Sequence, residues 1–352
     1  MKNQEEKTMA YLISEEAQDL LQDVKNFCDK EVVEQCKEYD VSGEWPKEIY
    51  DKAIEQGYQA LEVPEEFGGP GLSRVDVAAL IEQMAIADAG FATTISASGL
   101  GMKPVLIAGS KELKQRACDL ILEGGFGAFC LTEPGAGSDA GAGKTTAVKD
   151  GDEYVINGLK CFNTNGPLAK YTAVYALTEP EKKSKGLACF IVDRENTAGV
   201  RTGKIENKMG IRSAQVSEVI FENCRVPAFN KVAQDGNGFK TAMKTLNCGR
   251  IGVAAQGLGI AEGAFERAKE YMKEREQFGK PIAKFQYLQF KMAELAVKIE
   301  AAKYMLYKAA TDHDTGKPYD QSAAKAKYLC TNVAMEVTEW AVQFMGGNGY
   351  MK

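Results

Sequence analysis

The stretch from Phe129 to Thr145, FCLTEPGAGSDAGAGKT, concentrates the residue types that could do chemistry. An apolar run from Phe126 to Leu131 breaks into a loop holding four glycines, one proline and two acids. A strand that ends in such a loop brings backbone N–H groups close to a ligand, because glycine has no Cβ to hold the ligand away. Within it, SDAGAGKT nearly spells the phosphate loop G-x-x-x-x-G-K-[ST], with Ser138 where the first glycine belongs. That motif needs a helix directly after its Lys-Thr pair. The residues after Thr145 instead alternate, turn at Asp150-Gly151-Asp152 and alternate again, which reads as a β-hairpin. A phosphate-loop NTPase is therefore set aside. A second glycine pattern, Gly257-Leu-Gly259-Ile-Ala-Glu262, lacks the third glycine of a dinucleotide fingerprint and sits in a helical stretch. Its small residues (Gly252, Ala254, Ala255, Gly257, Gly259, Ala261) predict close helix packing instead.

The elements that must position these residues fall into three compositional parts: 1–124 helical, 125–235 β, and 236–352 helical. Ser14 caps a first helix followed by Glu15 and Glu16, and Leu20, Leu21, Val24, Phe27 and Cys28 have helical spacing. Trp45-Pro46 starts another segment, and Val75–Ala87 reads as a further helix. Strand candidates are Gly127–Thr132, Tyr154–Asn157, Tyr171–Leu177, Gly186–Val192 and Ser217–Glu222. Long helices are expected over Thr241–Glu276, Lys284–Thr315 and Gln321–Met345. Gly90–Pro104 reads as a loop of mostly small side chains.

Composition narrows the function classes. The 352 residues carry a net charge of −6 with scattered basic residues, which argues against nucleic acid as the main partner. No uninterrupted apolar stretch approaches ~18 residues, so no membrane span is expected. The N-terminus MKNQEEKTMAYLIS has no long apolar core, so no signal peptide is expected. Nine cysteines show no C-x-x-C pair, which fits a reduced, cytoplasmic setting better than a disulfide framework. The single histidine, His313 in Asp312-His-Asp-Thr-Gly316, reads as an exposed turn residue; no metal site and no histidine-based triad is expected.

Cys130-Leu-Thr-Glu-Pro-Gly-Ala-Gly-Ser-Asp139 resembles the first signature of the acyl-CoA dehydrogenases, position for position. The likeness extends in order through Val63–Leu72, Lys208–Arg212 with Val219–Pro227, Arg275–Lys280, and Gln343-Phe-Met-Gly-Gly-Asn-Gly349. The resemblance implies an α+β fold: an N-terminal helical domain, a middle β-domain and a C-terminal helical bundle. It also implies FAD as cofactor, an acyl-CoA substrate, an electron-transfer flavoprotein as partner, and a homotetramer. Gly90–Pro104 matches helices lining the acyl cavity, and its mostly small side chains point to a short or medium acyl chain. The implied reaction removes an α proton and a β hydride from the thioester. A carboxylate takes the proton and flavin N5 the hydride, while hydrogen bonds stabilise the nascent enolate in a dry site. The same site run backwards would reduce an enoyl-CoA.

By the same resemblance, Phe129, Leu131, Thr132, Gly137 and Ser138 lie along the flavin, and Ser138 also nears the CoA arm. Phe162, Asn163 and Thr164 match the segment where an aromatic packs on the flavin. Asn163 departs from the usual apolar residue there, which puts flavin polarity or substrate fit in question. Arg275, Gln277, Phe278, Phe285, Gln286, Gln343, Gly346 and Gly347 match contacts made to a neighbouring subunit's flavin. Arg250 matches an arginine near the CoA phosphopantetheine, and Asn247 stands where an acid is common. The family's catalytic glutamate follows the Gly-Gly-Asn-Gly motif, beyond Lys352, or else occupies the position of Gly249. Three readings stay open: a segment past Lys352 supplies the base, the protein is a base-less paralogue binding flavin or CoA, or another carboxylate such as Glu262 serves. The first is preferred because the other flavin motifs are intact.

Overall fold

Ser14 opens the first helix as its sequence predicts: its hydroxyl accepts from the N–H of Ala17 at 3.2 Å, at the helix end where Glu15 and Glu16 suit the dipole. A computed structural model describes residues 13–232 and 237–351. The signal-peptide reading of the first residues and the boundary at 235/236 lie outside them. The longer helices are α1 (Glu15–Phe27), α2 (Gln35–Ser42), α3 (Lys47–Glu55), α4 (Arg74–Ala87), α5 (Ala89–Ala108), α6 (Lys111–Leu122), α7 (Gly238–Glu274), α8 (Gln286–Asp314) and α9 (Asp320–Met345). The strands are β1 (Phe126–Cys130), β2 (Thr146–Asp150), β3 (Glu153–Thr164), β4 (Ala169–Leu177), β5 (Leu187–Asp193), β6 (Val200–Ile205) and β7 (Val216–Pro227), with a short hairpin of β8 (Glu276–Gln277) and β9 (Lys280–Pro281). Two units emerge. One holds α2, α3, most of α5, α6, β1 to β7 and the start of α7; the other holds α1, α4, the rest of α7, α8 and α9.

In the first unit the sheet runs β1-β4-β2-β3-β7-β6, with β5 paired to β4. The β2–β3 hairpin turns at Gly151 as predicted, with Asp150 opposite Glu153. Strand β4 shows the two-residue alternation of a sheet buried on both faces. Tyr171, Ala173, Tyr175 and Leu177 pack in a cluster with Leu113, Ala117 and Ile121 of α6, while Val174 and Ala176 join Ile156, Phe190 and Phe221 in another. Strand β6, which sequence reading missed, has no buried residue and carries little alternation to read.

The Gly90–Pro104 loop expectation is corrected: this segment lies within α5, which accommodates Pro104. Its glycines serve close packing rather than turning. A Cβ at Gly101 would stand 2.7 Å from the Ala128 nitrogen, and one at Gly99 would stand 2.1 Å from Glu62 Oε1. Helix α5 is long and apolar enough by composition to cross a membrane, yet 61% of that window is buried inside the protein, which is the composition a core helix needs.

In the second unit the small residues of α7 meet α4 and α9 at backbone range. A Cβ at Gly259 would lie 2.3 Å from the Glu82 carbonyl oxygen, and one at Gly257 would lie 3.2 Å from Thr331. Lys303 of α8 then bridges the carboxylates of buried Glu82, at 2.8 Å, and half-buried Glu262, at 2.7 Å, and the Tyr307 hydroxyl donates to Glu82. Burial and the adjacent Glu82 charge push Glu262 up to about 8. Glu262 is thus an internal brace between helices, already committed to Lys303.

Two glycines give a contrast in stability. Gly259→Ala should cost about 1–3 kcal/mol, the scale of overpacking, whereas Gly135→Ala, where a Cβ meets nothing within 4 Å, should stay within about 0.5 kcal/mol. Chemical denaturation of the two variants checks this, and equal midpoints would contradict it.

Candidate functional site

The glycine-rich loop is anchored from beneath by a buried ion pair. Lys160 of β3 is 1% exposed and Glu133 is 8% exposed. The Lys160 ammonium donates to Glu133 Oε1 at 2.7 Å and to the Leu131 carbonyl at 3.1 Å. Glu133 also accepts from the N–H groups of Lys144 at 2.6 Å and Thr145 at 3.0 Å. One carboxylate therefore ties together the start of the loop, its end and strand β3. Burial alone would raise Glu133, but the Lys160 charge and the N–H donors outweigh it and hold the acid below its usual range. A Cβ at Gly143 would come 3.0 Å from Glu133 Oε1, a tight approach to the anchoring carboxylate. The Lys144-Thr145 pair of the near phosphate-loop motif leads into β2 rather than a helix, as predicted.

Above this anchor the loop turns tightly. Glu133 and Ala136 exchange backbone hydrogen bonds, leaving Pro134, Gly135, Gly137 and Ser138 exposed. The Thr132 carbonyl accepts from the Cys161 N–H at 2.9 Å, which sets the loop beside a bulge in β3. At that bulge Phe162 takes a left-handed backbone (φ 56°) and is 66% exposed. A bulky residue held there costs about 1–3 kcal/mol, and such strain clusters at ligand sites. Phe162 is therefore not core. Thr132 and Thr164, one on each side of the junction, are half-buried.

Two of the expected flavin-contacting residues in this segment turn their side chains inward. The Asn163 side chain is 2% exposed and donates to the Ser217 carbonyl at 3.0 Å. The bulge sends it into the sheet, so its departure from an apolar residue is met internally. Leu131 likewise packs its side chain into the core and gives its carbonyl to Lys160. Phe129 is half-buried, edge-on to Tyr175 at 5.3 Å between ring centres.

The remaining expected residues lie in the helical unit. Phe278 and Gly279 both have positive φ (53° and 73°), the requirement of a two-residue type I′ hairpin. The β8–β9 hairpin raises Phe278 to 93% exposure, with Phe285 edge-on at 6.1 Å. Arg275, Gln277, Gln286, Gln343, Gly346 and Gly347 are all exposed. On α7, Arg250 donates to Asn247 Oδ1, and the Asn247 amide donates to Asp320 at 2.8 Å. A carboxylate thus stands one hydrogen bond beyond the position where an acid was expected. Gly249 lies between them in the helix.

His313 is also corrected. It lies in the last turn of α8, half-buried, with Nδ1 3.1 Å from Asp314 and Nε2 3.9 Å from the Cys248 sulfur. Asp314 in turn accepts from the N–H groups of Arg74 and Val75 at the start of α4. Asp314 is its sequence neighbour, and the packing of α7 against α8 supplies Cys248.

Three models cover most of the chain: acyl-CoA dehydrogenase, N-terminal domain at 14–125, middle domain at 128–224, and C-terminal domain at 236–352. The short-chain specific acyl-CoA dehydrogenase of Clostridium acetobutylicum is 41% identical, over 98% of this chain and 91% of its own. The acryloyl-CoA reductase (NADH) of Anaerotignum propionicum is 40% identical, over 100% and 90%. A solved structure described as the electron transferring flavoprotein of Acidaminococcus fermentans matches with a TM-score of 0.93 and 45% identity, covering 96% of this chain and 90% of that one.

Breaking the anchor tests its role. Lys160→Met should destabilise the protein by about 3–5 kcal/mol, because it strands a buried carboxylate, and Glu133→Gln added to it should restore part of that loss. A double-mutant cycle in denaturant measures both; additive losses would show that the two groups act independently.

The lone histidine gives a pH prediction. Its bonds to Asp314 and Cys248 raise His313 from 6.5 to about 9. A pKa raised on folding contributes stability that is fully present below about 6.5 and lost as pH rises through about 9. The melting temperature of the wild type should therefore fall across that window relative to His313→Asn. Parallel curves for the two proteins would count against it.

Proposed function

The chain belongs to the acyl-CoA dehydrogenase family, and we propose that it is an FAD-dependent oxidoreductase of short- or medium-chain acyl-CoA thioesters that exchanges electrons with an electron-transfer flavoprotein. The observation that carries this reading is Phe162, lifted into solvent on a strained bulge beside the loop that the Lys160–Glu133 pair anchors. An exposed ring on the bulge that pairs with the Thr132 backbone, with half-buried Thr132 and Thr164 on either side of that junction, suits a planar ligand that is apolar on its face and polar at its rim. Those residues fit a flavin, which when bound supplies the acceptor for the β hydride. The chain's own part is to orient the thioester, exclude water and hold the α proton. Arg250, braced by Asn247, suits an anionic or carbonyl oxygen of the CoA arm, and exposed Arg275 suits a pyrophosphate.

Enoyl-CoA reduction through the same site is the second reading, and the likeness to an acryloyl-CoA reductase favours it. For assembly we propose a homotetramer. Exposed Tyr287, Phe290, Val297 and Tyr304 on α8, with Tyr328 and Met335 on α9, are a large apolar expanse for a lone chain.

The test is spectroscopic. FAD should bind the purified protein noncovalently, and butyryl-CoA should perturb or bleach the flavin band anaerobically while free butyrate does not. Refusal of FAD by folded protein would overturn the reading. In the 352-residue chain, Gly249→Glu should speed bleaching by roughly 10²–10⁴, the scale of general-base catalysis. An unchanged rate would mean that a carboxylate already present takes the proton.

A further inference from the structure

Among the nine cysteines one is set apart by its surroundings. Burial pushes the thiols of Cys28, Cys118, Cys130 and Cys330 up to about 12 and Cys224 up to about 11. Cys161 and Cys189 are raised by burial as well. Such thiols are inert, because the thiolate is the nucleophile. Cys248 is buried as the others are and differs in what it faces. Its sulfur lies 3.9 Å from the imidazole Nε2 of the chain's only histidine, and the other ring nitrogen of that histidine is 3.1 Å from a carboxylate. Cys248 comes from α7 and the adjacent His313 and Asp314 from the end of α8, and folding alone brings the thiol to that pair.

We propose that Cys248, with His313 and Asp314, forms a nucleophilic thiol site that adds α,β-unsaturated carbonyl compounds. Asp314 holds His313 in its charged form, and the imidazolium stabilises the Cys248 thiolate after its proton leaves to solvent. A bond forms from sulfur to the β carbon of the acceptor. The π pair moves to the α carbon, which takes a proton from water, so thiol plus alkene gives a thioether with no oxidant or reductant. The other charged and titratable groups facing the pair are Arg74 of α4, which opposes His313 protonation, and Tyr319 and Asp320 at the start of α9. Asn247 and Arg250 flank Cys248 on α7, so an adduct there would load the segment proposed to meet the CoA arm; the thiol chemistry itself stands apart from that function.

The experiment uses N-ethylmaleimide on the intact, native protein with peptide mass mapping. Cys248 should label first and to one equivalent, while the other eight thiols label only in denaturant. His313→Asn should slow Cys248 labelling at pH 7 by about tenfold or more. Should that variant not fold, the wild type alone decides. From pH 6 to 8 its rate should rise clearly less than the roughly tenfold per unit expected of a thiol ionising unaided near 8.5. First labelling at Cys161 or Cys36, an unchanged rate in folded His313→Asn, or a full tenfold rise per unit in the wild type would each overturn the proposal.

Discussion

The buried pair of Lys160 and Glu133 is the constraint on which the candidate site depends. A glycine-rich loop has little side-chain packing of its own, so its shape must be imposed from outside. Here one carboxylate takes an ammonium and two backbone N–H groups, and the same ammonium holds the Leu131 carbonyl. Desolvating both charges is costly, and the pair is stable because the carboxylate's lone pairs are filled. The return is positional: β1 is followed by a loop whose two ends are fixed, and Thr132 meets the β3 bulge at a set distance.

That bulge converts a plain strand into a presenting surface. In an unbroken β3 the alternation would assign each side chain to one face or the other of a covered sheet. The extra residue breaks the alternation, sends Asn163 inward to the Ser217 carbonyl, and turns Phe162 out. The β8–β9 hairpin does the same for Phe278 in the other unit, again through a positive φ. Each unit thus bears a strained backbone whose visible product is an exposed aromatic ring, a costly arrangement for a protein with no planar ligand to bind.

In the helical unit, glycine does the opposite work. Gly257 and Gly259 are not ligand cradles. They remove side chains so that α7 can lie against α4 and α9, and the closeness this permits lets Lys303 reach Glu82 and Glu262 at once. Glycine type alone could not separate these uses; context in helix or strand did, which is why the dinucleotide-like pattern was set aside while the 135–143 loop was kept.

Much of this was legible in the chain because it is local. Alternating or apolar runs bounded by turns marked β4 and β5, a cap and helical spacing marked α1, and Asp150-Gly151-Asp152 marked the hairpin that excludes a phosphate-loop helix. The ordered motifs named the family and picked out Phe162 and Thr132. What failed was local evidence with two meanings or none. The glycines and Pro104 of α5 read as a loop because helix propensity is a weak prior that burial overrides, and β6, with no buried residue, carries little alternation. The sequence could not say that Lys160 reaches Glu133, that Asn163 faces inward, or that Cys248 meets His313. Those pairings join residues far apart in the chain, and only the packing of helices and strands, which sets distances the sequence does not encode locally, decides them.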